Sequence, residues 1–233
     1  MIITALDFPN TEQAYSFVDR IDPTLTRLKV GKELFTASGP VFVEELHKRG
    51  FDVFLDVKFN DIPNTVAGGV RSARDLGVWM LTVHASGGPR MLEAARAACP
   101  MYSGNTGMRL VAVTVLTSMD DLELEAVGVM GGTAAQVDRL ARLSFEAELD
   151  GVVCSPLEAA RVCELTNEHF LKVTPGVRLV ALAGDDQRRV MTPRDAKEAG
   201  SSFLVIGRPI TQSKDPLKTL IAIHDELNEG VPA

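Results

Sequence analysis

Short apolar segments alternate with longer amphipathic segments along almost the whole chain. The apolar segments are rich in Val, Ile and Leu, which is typical of parallel strands that are covered on both faces. Eight segments of this kind are predicted to be strands, at 2–8, 27–30, 53–59, 80–85, 110–116, 151–155, 172–174 and 203–206.

The segments between the strands have helical periodicity and the residues that mark helix ends. Helices are predicted at 11–21, 41–49, 63–76, 90–98, 134–148, 156–165, 193–199 and 215–227. Prolines stand near predicted helix starts, where proline is tolerated, at Pro40, Pro156, Pro193 and Pro216. Glycines, which favour left-handed caps, follow predicted helix ends at Gly50, Gly77 and Gly200.

Eight strand–helix units in 233 residues predict an α/β fold, a single-domain (β/α)8 TIM barrel in which residues 1–233 form one catalytic domain. The competing fold is an open doubly wound sheet, which usually has fewer strands and a glycine-rich first turn. Here the first turn is Asp7-Phe8-Pro9-Asn10. The least regular regions are 101–107, 128–133 and 179–189. The last follows the seventh strand, so it is a candidate active-site lid.

Charge and composition narrow the possible partners. A formal net charge of −7 at pH 7 disfavours nucleic acid, which requires clustered Lys and Arg, but allows a small anionic ligand. No apolar stretch approaches the length of a membrane span, and no leader-like segment opens the sequence, so no membrane partner is expected. The cysteines Cys99, Cys154 and Cys163 match no metal motif and are expected to be reduced, as in a cytoplasmic protein.

Charged residues cluster at the third predicted strand. In a barrel, catalytic residues lie at the carboxyl ends of strands. Asp56 and Lys58 are two residues apart, so they should face the barrel mouth, where Lys29 on strand two can reach them and Asp61 follows. Such a network would hold an ammonium protonated and aimed at one point, as a proton donor to a carbanion requires. The alternative is a structural ion-pair cluster. For Asp7, after strand one, the alternative is a helix cap.

A phosphate site is predicted on the loops after strands seven and eight, where barrels often bind phosphate. These loops offer backbone amides at Gly176 and Gly207 and the guanidinium groups of Arg178 and Arg208. The alternative is two surface arginines beside turn glycines. His84 is expected to be a packed histidine rather than a base, and Gln187 in the candidate lid could bind an amide edge.

At these residues the sequence resembles the orotidine 5′-phosphate decarboxylase family, in its bacterial form, over nearly the whole chain. The family makes UMP in pyrimidine biosynthesis. The matching segments are Ala5-Leu6-Asp7, Leu28-Lys29-Val30-Gly31, Leu55-Asp56-Val57-Lys58-Phe59-Asn60-Asp61-Ile62-Pro63-Asn64-Thr65, Val83-His84-Ala85, Thr174-Pro175-Gly176-Val177-Arg178 and Ile206-Gly207-Arg208-Pro209-Ile210.

The resemblance implies a role for each matched residue. Lys58 would protonate C6 of the pyrimidine, and Lys29, Asp56 and Asp61 would complete a charged tetrad. The substrate would be bound by residues from several loops, namely Asp7, Lys29, Asp56, Thr117 or its neighbour Ser118, Pro175, Arg178, Gln187, Gly207 and Arg208. It also implies a homodimer with shared sites, to which Asp61, Ile62 and Thr65 are contributed across the interface. No cofactor and no metal are expected.

Two rivals remain open at this point. Sister enzymes of the same barrel group, such as 3-keto-gulonate 6-phosphate decarboxylase and hexulose phosphate synthase, depend on magnesium and use an acidic ligand at the end of strand two. Lys29 stands at that position here, and a cation there opposes a divalent metal. A rival of another class is a non-catalytic nucleotide-binding barrel, which does not require a positioned lysine at position 58.

Overall fold

The strands form a closed, eight-stranded parallel barrel. The computed structural model describes residues 1–100, 107–177 and 191–228. The strands pair in chain order, and the last pairs with the first, with Ile2 opposite Leu204. They are β1 Ile2–Ala5, β2 Arg27–Gly31, β3 Val53–Phe59, β4 Met80–His84, β5 Arg109–Val113, β6 Gly151–Val153, β7 Leu171–Thr174 and β8 Phe203–Ile206. The predicted fold class is confirmed.

Helices follow the strands and cover the outside of the barrel. Those in the described part of the chain are α1 Thr11–Val18, α2 Lys32–Ser38, α3 Pro40–Lys48, α4 Pro63–Asp75, α5 Pro89–Ala98, α6 Asp121–Ala126, α7 Gly132–Glu146, α8 Ala159–Leu165, α9 Pro193–Glu198, α10 Arg208–Thr211 and α11 Pro216–Asn228, with 3-10 turns at Ala85–Gly87 and Pro156–Glu158. The predicted caps are confirmed. Gly50, Gly77 and Gly200 all have positive φ angles, and four helical segments begin at the predicted prolines.

Several predicted boundaries were wrong. The first, fifth and sixth strands end earlier than predicted, at Ala5, Val113 and Val153. The apolar residues after these strands belong to loops at the barrel mouth, which apolar content alone does not distinguish from strand. The predicted helix 156–165 is a 3-10 turn followed by α8, and part of the irregular region 128–133 is the start of α7. The short helices α2, α6 and α10 were missed because they lie within strand-to-helix connections.

Two separate apolar clusters stabilise the barrel. A small cluster fills its interior, with members from alternate positions of the strands, namely Ile3, Ala5, Phe54, Met80, Val111, Val173 and Val205. A larger cluster packs the outer faces of the strands against the helices and includes Leu28, Leu55 and Leu81, each of which is almost fully buried. The interior cluster forms an apolar floor below the carboxyl ends of the strands.

Two local contacts involve β7 and the residues that follow it. Gly151 on β6 is closely approached by β7, since a Cβ atom there would overlap the carbonyl oxygen of Leu171. After β7, Val177 pairs with Met191 in an isolated parallel bridge, which brings these two residues of the described chain together. Among the residues that the structure describes, no helix has the length and apolarity needed to cross a membrane.

Candidate active site

A chain of ion pairs lies at the carboxyl ends of the first three strands. Asp56 is at its centre, with Oδ1 2.8 Å from the Nζ of Lys58 and Oδ2 3.5 Å from the Nζ of Lys29. Lys29 also donates a hydrogen bond of 3.2 Å to Oδ1 of Asp7. The side chains of Lys29 and Asp56 are each only 12% exposed, whereas that of Asp7 is 65% exposed. The structure therefore brings Asp7, Lys29, Asp56 and Lys58 together.

The backbone at Lys58 departs from regular strand geometry. Its φ angle is +54°, a left-handed conformation that costs a non-glycine residue free energy and is concentrated at functional sites. The pairing of β3 with β4 shifts register between Leu55 and Phe59. The hydroxyl of buried Thr82 accepts a 2.8 Å hydrogen bond from the Lys58 backbone N–H and donates one of 3.1 Å to Asp56. Thr82 thus links the strained backbone to the central carboxylate.

The ion pairs outweigh the effect of burial on both central groups. Burial raises the pKa of Asp56, but the positive charges of Lys29 and Lys58 and hydrogen bonds from Lys58 and Thr82 bring it below its ordinary value. Burial lowers the pKa of Lys29, but the charges of Asp56 and Asp7 raise it above its ordinary value. Both groups are therefore ionised at neutral pH, as an ammonium–carboxylate network requires.

His84 stands at the end of β4, beside this network. Burial, followed by the charges of Lys32 and Lys58, lowers its pKa below the ordinary value of 6.5. Its imidazole is therefore neutral at pH 7, because burial and the two cations outweigh the opposing charge of Asp56. This state fits the expectation of a packed histidine.

The charged residues line one cavity of about 660 Å³ at the barrel mouth. Apolar side chains line its floor, including Ala5, Phe54 and Val205. Among the described residues of its wall, the charged side chains are three cations and two anions, namely Lys29, Lys58, Arg208, Asp7 and Asp56. A cavity with excess positive charge in a protein of net charge −7 favours an anionic ligand, and its apolar floor strengthens the interaction.

Most of the predicted binding residues line this same cavity. Thr117 and Ser118 come from the loop after β5, Pro175 and Gly176 from the loop after β7, and Gly207 and Arg208 from the end of β8. Gly207 packs closely against strand one, since a Cβ atom there would lie 3.5 Å from Asp7. Asp7 does not cap α1, because Asn10 accepts the capping hydrogen bond from the backbone N–H of Gln13.

Three predicted residues lie outside the cavity of their own chain. Asp61, Ile62 and Thr65 are exposed at the start of α4. The Asp61 carboxylate accepts a 2.6 Å hydrogen bond from the backbone N–H of Ile62, and within the described residues it forms no ion pair with Lys29 or Lys58. Within the described residues of one chain, Asp61 therefore does not join the ion pairs of Lys29, Asp56 and Lys58. Arg178, Gln187 and the candidate lid 179–189 lie outside the described residues.

Three residues of this site were not predicted from the sequence. Thr82 lies within the apolar strand β4. The only indication of its role was that a hydroxyl stands opposite a buried aspartate. Gln212 lines the cavity and directly follows α10, a short helix that was not predicted. Cys154 also lines the cavity and is 1% exposed. It was placed in the sixth predicted strand, and its position near the end of that strand was the indication overlooked.

The comparison with known families agrees with this geometry. A family model described as "Orotidine 5′-phosphate decarboxylase / HUMPS family" matches residues 1–223. The chain belongs to the orotidine 5′-phosphate decarboxylase / HUMPS family.

Relatives within the orotidine 5′-phosphate decarboxylase / HUMPS family match the chain over nearly its full length. A protein of Laribacter hongkongensis (strain HLHK9) is 58% identical over 225 residues, which cover 96% of this chain and 91% of the relative. A protein of Pectobacterium carotovorum subsp. carotovorum (strain PC1) is 55% identical over 229 residues, which cover 98% of this chain and 92% of the relative. Both are named orotidine 5′-phosphate decarboxylase.

A solved structure supports the same assignment. The crystal structure of orotidine 5′-phosphate decarboxylase from Lactobacillus acidophilus superposes with a TM-score of 0.87 at 38% identity, covering 97% of this chain and 98% of that one. A structure from Pyrococcus horikoshii OT3 superposes with a TM-score of 0.78 at 23% identity, which supports the fold alone.

Proposed function

We propose that this protein, a carboxy-lyase by its family, decarboxylates orotidine 5′-phosphate to UMP, the last step of de novo pyrimidine nucleotide synthesis. The observation that supports this most is the ion-paired Lys58 ammonium at the wall of a cationic cavity. Residues 1–233 act as one catalytic domain. A biosynthetic role together with free thiols at Cys99, Cys154 and Cys163 favours the cytoplasm.

The proposed chemistry requires a positioned proton donor. The bond between C6 and the carboxylate carbon breaks, CO₂ leaves, and the electron pair remains on C6. The Lys58 ammonium stabilises this charge electrostatically and transfers one proton to C6, after which solvent reprotonates the amine. Asp56 and Thr82 fix the lysine before the reaction starts, so little reorganisation is needed. No electron-sink cofactor enters this scheme.

The other ligand groups are assigned to the sugar, the phosphate and the base. Asp7 and Lys29, joined by a hydrogen bond at the cavity wall, bind the ribose hydroxyls. Arg208 and the backbone amides at Gly176 and Gly207 bind the phosphate, together with Arg178, while Pro175 contacts the ligand beside them. Thr117 or Ser118 binds the pyrimidine edge, and Gln187 joins ring and phosphate. Binding energy from the remote phosphate helps to position the reacting ring.

A homodimer with shared active sites is part of the proposal. It would give a function to Asp61, Ile62 and Thr65, which are exposed and lie outside their own chain's cavity. Ile62 is an apolar side chain that is 68% exposed, as an interface residue would be in an isolated chain. In a two-fold dimer, each chain would contribute these residues to its partner's site.

Subunit mixing tests the shared site. Lys58→Ala and Asp61→Asn chains, each poorly active alone, are expected to recover about a quarter of wild-type activity when co-refolded in equal amounts. Half of the dimers are then mixed, and each mixed dimer has one intact site. Lys58→Ala with Lys29→Ala is the matched control and should recover nothing, because both residues belong to one chain's network. Equal recovery in both mixtures, or none in either, contradicts a shared site.

The magnesium-dependent rival makes a different prediction about chelation. After EDTA treatment and buffer exchange, the protein is expected to remove the orotate absorbance of orotidine 5′-phosphate at the same rate as the untreated protein, because ammonium groups occupy the place of a metal. The position at the end of β2 belongs to Lys29, ion-paired to Asp56 and Asp7. Complete loss of activity with EDTA, restored by magnesium, would favour the sister enzymes.

A further inference from the structure

The loop after β5 forms the side of the cavity to which the base has been assigned. Thr117 and Ser118 line the cavity, and the turn is closed by a 2.9 Å hydrogen bond from the Met119 N–H to the Leu116 carbonyl. Met119 packs against the outer core. The next element is α6, which starts at a capping box formed by Asp120 and Glu123. The position of Thr117 and Ser118 therefore depends on how α6 is anchored.

On its own, α6 has few means of holding a fixed position. It is six residues long, and Leu124 is its buried side chain. A helix this short has little intrinsic stability in water, so its orientation must come from contacts with other elements. By contrast, its neighbour α7 has 15 residues and buries Val137, Leu140 and Ala141.

A carboxylate joins α6 to the start of α7. Oδ1 of Asp121 accepts a 2.7 Å hydrogen bond from the Thr133 backbone N–H and a second from the Thr133 hydroxyl. The N-cap of α7 is Gly131, which has no side chain to satisfy the first amides. Asp121 therefore caps α7 from a different helix, and its negative charge is favourable at that helix end.

Glycine makes this contact possible. Gly132 has a φ angle of +77°, and a Cβ atom there would lie 3.2 Å from both oxygens of the Asp121 carboxylate. A larger residue would meet both a backbone penalty and a close contact with the carboxylate. The Gly131-Gly132-Thr133 segment is thus shaped to receive Asp121.

We propose that Asp121 is a positioning residue, which fixes α6 to the N-terminus of α7 and thereby holds Thr117 and Ser118 against the base of the bound nucleotide. This inference rests on the proposed function. The proposed role of Asp121 can be distinguished from a purely structural role, because the sugar and phosphate sites are built on other elements, namely β1, β2, β7 and β8. Loss of the contact should weaken recognition of the base and leave recognition of the sugar phosphate unchanged.

The test compares two ligands on one variant. Asp121→Ala is expected to bind UMP about tenfold more weakly, the loss of roughly one hydrogen bond to the base, while ribose 5-phosphate affinity stays within about twofold. Because the base is contacted before and during the reaction, KM for orotidine 5′-phosphate should rise with kcat nearly unchanged. Asp121→Asn retains an acceptor for the Thr133 N–H and should restore most of the UMP affinity.

Controls separate this effect from general destabilisation. Glu125→Ala removes a carboxylate from the same helix, exposed and without a side-chain hydrogen bond or ion pair within the described residues, and should bind both ligands normally. Gly132→Ala disturbs the same contact from the α7 side and should show the same pattern as Asp121→Ala. It replaces Asp121→Ala in the test if Asp121→Ala folds poorly. The proposal is overturned if Asp121→Ala weakens the binding of UMP and of ribose 5-phosphate equally. It is also overturned if Asp121→Ala and Gly132→Ala both keep the wild-type UMP affinity.

Hydrogen exchange tests the anchoring without any ligand. The Met119 amide should exchange faster in Asp121→Ala than in wild type or Glu125→Ala, because the turn after β5 loses its anchor. Unchanged exchange overturns the anchoring role. If wild-type protein binds ribose 5-phosphate but not UMP, the proposed function is wrong, and the exchange result alone decides on Asp121.

Discussion

The Lys58→Ala variant is expected to decarboxylate orotidine 5′-phosphate at least about a thousandfold more slowly than wild type, through kcat rather than KM. General acid catalysis and electrostatic stabilisation of a developing charge each contribute about 10²-fold or more, and one ammonium supplies both here. Nucleotide binding should persist, because the phosphate and ribose contacts lie on other strands. Steady-state kinetics and calorimetric titration with UMP measure the two effects separately.

If Lys58 had only a structural role, the Lys58→Ala variant would still turn over substrate normally. The backbone at Lys58 is strained, with a φ angle of +54°, and alanine tolerates that conformation no better, so the fold should be preserved but not improved. Lys218→Ala, an exposed lysine on α11, is the matched control and should retain full activity. Normal turnover by Lys58→Ala would contradict the mechanism and favour a non-catalytic nucleotide-binding barrel.

The second large effect is expected for Asp56→Asn, which removes the shared negative charge between two lysines. Lys29 and Lys58 would then lie close together in a poorly solvated site without their common partner. Removal of one member of a buried ion pair is strongly destabilising, and we expect the free energy of unfolding to fall by about 3 kcal/mol at pH 7. We also expect kcat to fall about a hundredfold, since Lys58 loses its fixed position.

The destabilisation should depend on pH in a defined direction. The pKa of Asp56 is lower in the folded protein than its ordinary value of 3.8, so its contribution is complete above 3.8 and is lost as pH falls through the folded pKa. The pKa of Lys29 is raised above 10.5, so its contribution is complete below 10.5 and is lost as pH rises through the folded pKa. The difference between wild type and Asp56→Asn should therefore be constant from about pH 5 to 10 and shrink in acid.

An exposed ion pair provides the control for this measurement. Asp52 pairs with Arg27 at 3.1 Å, but its side chain is 54% exposed. Exposed pairs contribute about 0 to 1 kcal/mol, so Asp52→Asn should change the free energy of unfolding by less than about 1 kcal/mol in urea denaturation. If both variants lose equal stability at pH 7, the buried network has no special role in the fold.

The sequence was sufficient to predict the barrel because its strands are buried on both faces and are separated by well-marked helices. It was also sufficient to place Lys29 near Asp56, since the adjacency of β2 and β3 follows from strand order. Lys58 does reach Asp56, but from a left-handed backbone rather than by regular alternation along β3. The prediction of element boundaries failed where residues follow neither the strand periodicity nor the helix periodicity. The mouth loops after β1, β5 and β6 are apolar because they pack against the barrel rim, and apolar content made them resemble strand.

Tertiary geometry decided the remaining parts of the site. The left-handed φ angle of Lys58 depends on the register shift against β4 and on the Thr82 hydroxyl, neither of which can be deduced from spacing along the chain. The position of Asp61 depends on how the chain leaves β3, which its proximity to Lys58 in the sequence does not determine. Gln212 required α10, a helix too short to have a periodic pattern of its own.

Closure of β8 onto β1 has a consequence for synthesis of the protein. Asp7 leaves the ribosome long before Gly207, which lies against it in the folded protein. Until β8 has emerged, β1 lacks one of its two neighbouring strands, and the cavity lacks one wall. A nascent chain that ends before Ile206 therefore has an unpaired apolar strand edge and an incomplete cavity, and unpaired edges of this kind are sites of aggregation.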